Sequence, residues 1–144
     1  YYNNRWKNRL EGDNIAKKVL KGILIVLLLI IGTVGLICGK EYIESKRIEH
    51  IVKSDDGKEA IENMLKKMDS RALTSEGKIK SYKIDYNKVK KNPMGGIYIL
   101  LIINDDPEMI FDTTLEKNTV GGKYTTGAGG FSPKLFDFIY EGKY

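Results

Sequence analysis

Between Lys21 and Lys40 the chain runs for eighteen residues, Gly22–Gly39, without a charge, and twelve of them are Ile, Leu or Val. As a helix this run is about 27 Å long, slightly short of a hydrocarbon core of about 30 Å. Lysines at both ends can snorkel to make up the difference. At about −0.3 to −0.6 kcal/mol for each aliphatic residue, insertion is favoured by up to about 4–7 kcal/mol. The alternative is a buried core helix, but no eighteen-residue helix in so small a domain could be apolar on every face. The segment therefore reads as transmembrane, and the first expected partner is a lipid bilayer contacted through Gly22–Gly39.

Among membrane segments a permanent single-pass anchor fits best. A lipoprotein signal needs a small residue before its Cys, and Ile37 precedes Cys38. A cleaved signal finds only a loose match in Thr33 and Gly35, and its apolar region would be unusually long. Lys17, Lys18 and Lys21 lie close to one end of the run, whereas Lys40 stands alone within five residues of the other. The positive-inside rule then puts the N-terminus in the cytoplasm and the C-terminal part outside the cell membrane. Gly35 and Gly39 form a GxxxG pair, a candidate packing surface between membrane helices and one route to a homo-oligomer.

Charge is unevenly distributed. The first 21 residues carry six Lys/Arg against Glu11 and Asp13, while residues 40–144 carry eighteen against seventeen acids. The region able to fold outside the membrane is almost neutral, which argues against nucleic acid as a partner. One Cys and one His exclude a disulfide framework and a zinc finger. Neither a cofactor nor a metal site is expected.

Beyond the anchor the hydrophobic period changes twice. Ile48, Ile51 and Val52 form one helical stripe, and Ile61, Met64, Leu65 and Met68 form another. Ser54-Asp55-Asp56-Gly57 separates them, with Asp55 or Asp56 as the expected cap of the second helix. The first stripe is sparse and charged and predicts a stalk. Tyr82, Ile84 and Tyr86 then alternate with polar residues as a half-buried strand. Ile97–Ile103 is a seven-residue apolar strand, and Met109, Phe111, Thr113 and Leu115 line one side of the next. A short Gly-rich strand is expected near 123–128. Ser132-Pro133 caps a closing helix marked by Leu135, Phe136, Ile139 and Tyr140. No internal repeat is evident.

The predicted fold class is α+β: an N-terminal transmembrane helix and helical stalk, then a small antiparallel meander of three to four strands packed with an N-terminal and a C-terminal helix. The expected divisions are a basic cytoplasmic tail (1–21), the anchor (22–39), the stalk (40–54) and an extracytoplasmic domain (55–144).

Several strings in this region point to one family: Ala72-Leu73-Thr74, Gly77-Lys78-Ile79-Lys80-Ser81-Tyr82, Asn92-Pro93-Met94-Gly95-Gly96-Ile97, Ile103-Asn104-Asp105 and Ser132-Pro133-Lys134-Leu135. Together they resemble domain-of-unknown-function family thirteen-ten, small membrane-anchored proteins of Gram-positive bacteria. The resemblance covers roughly residues 60–140 and includes the preceding hydrophobic anchor, and Asn92, Pro93, Met94, Gly95 and Gly96 are its most specific element. It implies a location and a fold, and lends no catalytic residue.

The remaining motifs have ordinary structural explanations. Asp105-Asp106 and Asp55-Asp56 lack the spaced frame of a calcium loop. His50 lies among charges on the stalk, and Cys38 sits at the outer end of the span, away from the usual place for palmitoylation. The glycines of 127–130 before Lys134 match neither a P-loop nor a dinucleotide fingerprint. The sequence thus favours a non-enzymatic, anchored binding or structural module of the cell envelope, with an envelope protein or polymer as its partner. The alternatives are a carboxylate hydrolase using Asp85, Asp105 or Asp112, and a regulator acting through the basic tail. On the central strand, Tyr98, Leu100 and Ile102 form the candidate interaction face, to be wrapped by the stalk helix or used for association.

Overall fold

A computed structural model describes residues 2–141, and the chain forms two compact units, Tyr1–Ile43 and Glu44–Tyr144. The first helix, α1 (Tyr2–Lys53), is uninterrupted. It contains no proline, and an interior glycine costs a helix only about 1 kcal/mol, so the basic tail, apolar run and stalk share one conformation. In the first unit the aliphatic side chains of the run all face outward, from Leu27 at 49% exposure to Leu36 at 69%. This is one N-terminal helix long and apolar enough to cross a membrane.

The second unit begins before the expected boundary at residue 55. Ile48 and Val52, on the last turns of α1, are buried in its core. The stripe at 48, 51 and 52 is therefore one wall of the domain instead of a solvated stalk. Its charged neighbours Lys46, Glu49 and Lys53 pair with one another along the outer face of the helix.

Ser54 ends α1 and starts α2 (Asp55–Met68), its hydroxyl donating to the Ile51 carbonyl at 2.6 Å and accepting from the Gly57 N–H at 3.2 Å. Asp55 and Asp56 occupy the first turn, where they complement the helix dipole, and the cap itself is Ser54. Helix α2 buries Ala60, Ile61, Met64 and Leu65. The following loop is tied by Asp69, whose carboxylate accepts from the N–H groups of Arg71 (3.2 Å) and Ile79 (3.0 Å).

The sheet comprises β1 (Tyr82–Ile84), β2 (Lys90–Lys91), β3 (Ile97–Ile103), β4 (Ile110–Lys117) and β5 (Tyr124–Phe131), all antiparallel to their neighbours. The order is β1-β3-β4-β5, with β2 pairing the same side of β3 as β1. The meander thus has a first strand broken into two short pieces. Strand β5 is longer than its glycines suggest, extending to Phe131 with an irregular register against Thr113–Leu115.

Alternation along β3 separates two environments. Ile97, Ile99, Leu101 and Ile103 are buried, as are Met109, Phe111, Thr113 and Leu115 beside them. These residues meet the α1 and α2 stripes and helix α3 (Pro133–Tyr140), which contributes Leu135 and Ile139. Ser132 caps α3, accepting from the Leu135 N–H, with Pro133 in the first helical turn. Among the described residues of the second unit, the helical cover lies on this one side.

Candidate functional site

The other side of the sheet carries Tyr98, Leu100 and Ile102 from β3 with Ile110, Asp112 and Thr114 opposite them on β4. Each of these side chains is half-buried, and none of the apolar ones joins the main core. The register places Lys83 beside Ile102 and Lys90 beside Tyr98, so lysines edge an apolar centre. The Lys90 ammonium lies 5.5 Å from the Tyr98 ring centroid, within cation–π range. Partial burial, together with the Asp112 carboxylate, raises the Tyr98 phenol pKa, so this hydroxyl stays neutral at physiological pH. The stalk residues Ile48 and Val52 are in the opposite core, so the expected wrapping of this face by 41–53 does not occur within the second unit.

The Asn92–Gly96 string forms the turn between β2 and β3. Asn92 accepts from the Met94 N–H through its side chain (3.0 Å) and donates its backbone N–H to the Gly96 carbonyl (3.0 Å). Its amide also reaches the Thr114 hydroxyl at 3.3 Å. Gly95 and Gly96 both have positive φ, 112° and 78°, and a Cβ on Gly96 would stand 2.7 Å from the Leu115 carbonyl oxygen. Glycine is thus required at 96 by backbone conformation and by space. Pro93 presets the turn and Met94, at 97% exposure, projects from it.

Beside this turn lies an open groove of about 480 Å³. Its apolar floor includes Ile48, Ile51, Ile97 and Leu115, and its rim includes Glu44, Arg47, Lys91 and Lys117. Lys91 and Glu44 approach to 3.8 Å across it. Sequence reasoning missed the groove because its two walls are far apart in the chain, with residues 52–90 between Ile51 and Lys91. Their pairing follows only from α1 packing into the domain.

None of the three candidate carboxylates lines the groove beside the Asn92–Gly96 turn. Asp85 accepts from the Asn87 N–H within its own turn, at 3.1 Å. Asp105 is engaged by Lys83. Asp112 pairs across the sheet with Leu100, whose carbonyl on the other side accepts the Asp85 N–H. Asp85 and Asp112 are therefore two strand spacings apart, about 10 Å between backbones, with Leu100 between them. Asp106, by contrast, bonds Lys134 at 2.8 Å, and that amine also meets Glu108 at 2.7 Å. The pair lowers the Asp106 pKa and raises that of Lys134 to about 12, the chemistry of an ion-pair cluster that closes a turn onto α3.

A further cleft contains Tyr82, whose hydroxyl is 3.5 Å from a Glu62 oxygen. Burial and that carboxylate push its pKa up to about 12, leaving a neutral phenol. Gly35 and Gly39 lie one turn apart on α1 in the first unit, and a Cβ on either would meet nothing within 4 Å. Cys38 is exposed and His50 lies on the outer side of α1. No group of three or more potential metal ligands occurs among the described residues.

A long apolar N-terminal helix continuing into a one-sided α+β sheet domain defines a class of small protein suited to membrane anchoring. The profile of one family, "Protein of unknown function (DUF1310)", matches residues 20–138, and the chain belongs to that family. The match takes in the apolar run as well as the folded domain. No curated protein and no solved structure matches the chain.

Proposed function

We propose that this chain is a single-pass membrane protein whose second unit is a non-enzymatic binding module outside the cell, serving the envelope of a Gram-positive bacterium. The lysines flanking the span, three near its N-terminal end against Lys40 at the other, support an N-terminus inside and a C-terminus outside. The observation that carries the binding role is the open sheet face. Tyr98, Leu100, Ile102 and Ile110 form an apolar centre without helical cover, while the helices of the second unit pack on the other side. Apolar surface of this kind on one face of a small domain is characteristic of an interaction site.

The test is a photo-crosslinking amino acid placed at Leu100 in the full chain, in cells, with Lys88 as an exposed control site. A discrete adduct from position 100, absent from position 88, supports the module and identifies its partner as an envelope component or another copy. No adduct at 100, or the same adducts at both sites, overturns the assignment of the face. Release of fragments from an envelope polymer by the purified protein would replace binding with hydrolysis.

A further inference from the structure

The β2–β3 turn has a counterpart at the next turn on the same end of the sheet. Asn92-Pro93-Met94-Gly95-Gly96 and Asn118-Thr119-Val120-Gly121-Gly122 share the pattern Asn, any residue, an apolar residue, Gly, Gly. Their geometry is also shared. Each Asn side chain accepts from the N–H of the apolar residue two positions on, at 3.0 Å in the first turn and 2.9 Å in the second. Gly121 and Gly122 have positive φ, 100° and 68°, like Gly95 and Gly96. Each turn holds its apolar side chain away from the protein, Met94 at 97% exposure and Val120 at 85%. Among the described residues these are the two most exposed large apolar side chains of the second unit. Lys91 opposite Ile97, Ile97 opposite Leu115 and Lys117 opposite Tyr124 put both tips at one end of the sheet.

That end is also where the second unit starts. Glu44, its first residue, shares the groove with Arg47, Lys91, Met94 and Lys117. Only four residues of chain lie between Gly39, the last of the apolar run, and Glu44, which makes five backbone steps. Even fully extended, they cover no more than about 17 Å. Around the tips Lys90, Lys91, Lys117, Lys123 and Arg47 are exposed, against Glu44, Glu116 and, in the cleft beside Val120 and Lys123, Asp56 and Glu59. Exposed apolar tips with lysines beside each of them, Lys91 and Lys117 at Met94 and Lys123 at Val120, suit an anionic lipid surface, where each lysine gains from the headgroup charge.

We propose that Met94 and Val120 are a pair of membrane-surface contacts, seated among anionic phospholipid headgroups of the bilayer that holds the apolar segment. The two turns then act as feet that restrict how the domain tumbles on its tether, and Lys91, Lys117 and Lys123 supply the preference for negative lipid.

The test uses the full chain, with Cys38→Ala, reconstituted in vesicles of equal parts phosphatidylcholine and phosphatidylglycerol. An environment-sensitive fluorophore is attached in turn to Met94→Cys, Val120→Cys and Pro107→Cys, the last in the β3–β4 turn at the opposite end of the sheet. A nitroxide on the lipid headgroup should quench positions 94 and 120 several-fold more than 107, with blue-shifted emission at both. The contrast should shrink in pure phosphatidylcholine, in the Lys91→Gln/Lys117→Gln/Lys123→Gln variant, and in about 1 M salt, where the screening length is about 3 Å. Equal quenching at the three sites overturns the proposal. So does a blue shift at 94 and 120 that persists in detergent and grows with protein concentration, which would assign the tips to a second copy of the chain.

Discussion

The ring of Phe111 occupies the space that a side chain on Gly129 would need. A Cβ there would overlap the ring's Cζ atom and lie 2.7 Å from the Asp112 carbonyl oxygen. Phe111 is held in place by Phe131, its partner across the β4–β5 ladder, with ring centroids 4.8 Å apart in an edge-to-face arrangement. A strand glycine is ordinarily a weak point, and replacing it with Ala gains about 0.5–1 kcal/mol. Here the ring covers the glycine and reverses that expectation. Gly129→Ala should lower stability by about 1–3 kcal/mol, the usual cost of overpacking. Denaturant unfolding checks the sign, and Phe111→Leu in the same background should remove much of the penalty. A stabilised Gly129→Ala variant would show that the close approach is not constraining.

Asn104 joins the loop before β1 to the β3–β4 turn. Its side-chain oxygen accepts from the N–H groups of Lys80 (2.7 Å) and Ser81 (3.2 Å), and its amide donates to the Lys78 carbonyl (2.9 Å). Its backbone is left-handed, with φ of 53°. Asn104→Ala loses three bonds and meets a steric penalty, for a combined cost of about 2–4 kcal/mol. Asn104→Gly relieves the conformation but not the bonds, and should fall between Ala and wild type in melting temperature. If Gly and Ala are equal, the left-handed backbone contributes nothing.

At Asp69, partial burial pushes the carboxyl pKa up, but the N–H groups of Ile79, Arg71 and Lys78 pull it further down, and the result is below the ordinary carboxylate range. A depressed folded-state pKa adds stability above the unfolded value of about 3.9 and loses it as pH falls through the folded value. The melting temperature of wild type should therefore fall more steeply below about pH 4 than that of Asp69→Asn. The variant should be the less stable at neutral pH, and the two curves should approach one another in acid. Parallel curves would remove Asp69 from the acid response.

Adjacent leucines on β3 should respond oppositely to charge. Leu101 is fully buried, and Leu101→Lys should unfold the domain or cost more than about 4 kcal/mol. Leu100 faces outward beside Asp112, so Leu100→Lys should leave the unfolding midpoint nearly unchanged while abolishing crosslinking from neighbouring positions on the face. Collapse of the fold in Leu100→Lys would make that side a core.

The end of α1 gives a simpler test. A soluble fragment starting at residue 44 retains Ile48 and Val52, whereas one starting at 55 loses both. The shorter fragment should be destabilised by roughly 3–5 kcal/mol if it folds at all, since two buried aliphatic side chains are removed from a closed core. Equal urea midpoints would restore the reading of 40–54 as a stalk.

Much of the fold was legible where a single period dominates. Ile97–Ile103 matched its strand residue for residue, and Ser132-Pro133 marked the start of α3. The misses have physical causes. Lys90–Lys91 is a two-residue edge strand whose side chains carry no pattern, so it exists only through its pairing with Ile97 and Tyr98. Strand β5 continues past its expected end because Phe111 fills the space over Gly129, a compensation that strand propensity does not register. The stripe of Ile48 and Val52 was visible, but its charged neighbours disguised burial on one side only. Of the candidate site, the open face followed from alternation at Tyr98, Leu100 and Ile102. The groove depended on a contact between distant segments. The matching of Asn92–Gly96 with Asn118–Gly122 was hidden because only Asn and the two glycines are identical.

The broken first strand sets a limit on assembly. A sheet with two long free margins can keep recruiting strands and grow into a fibre, whereas one with a single receptive margin closes on itself after one addition. Here β1 and β2 offer only short, lysine-bearing pieces separated by a turn, a poor template for a newcomer. On the opposite side β5 presents eight consecutive residues with no further strand paired to it among the described residues. Edge-to-edge pairing of two such domains, β5 against β5, would use up the only good template in each. A pair joined in that way would be left with only the short, lysine-bearing margins, so the addition of further strands would stop there.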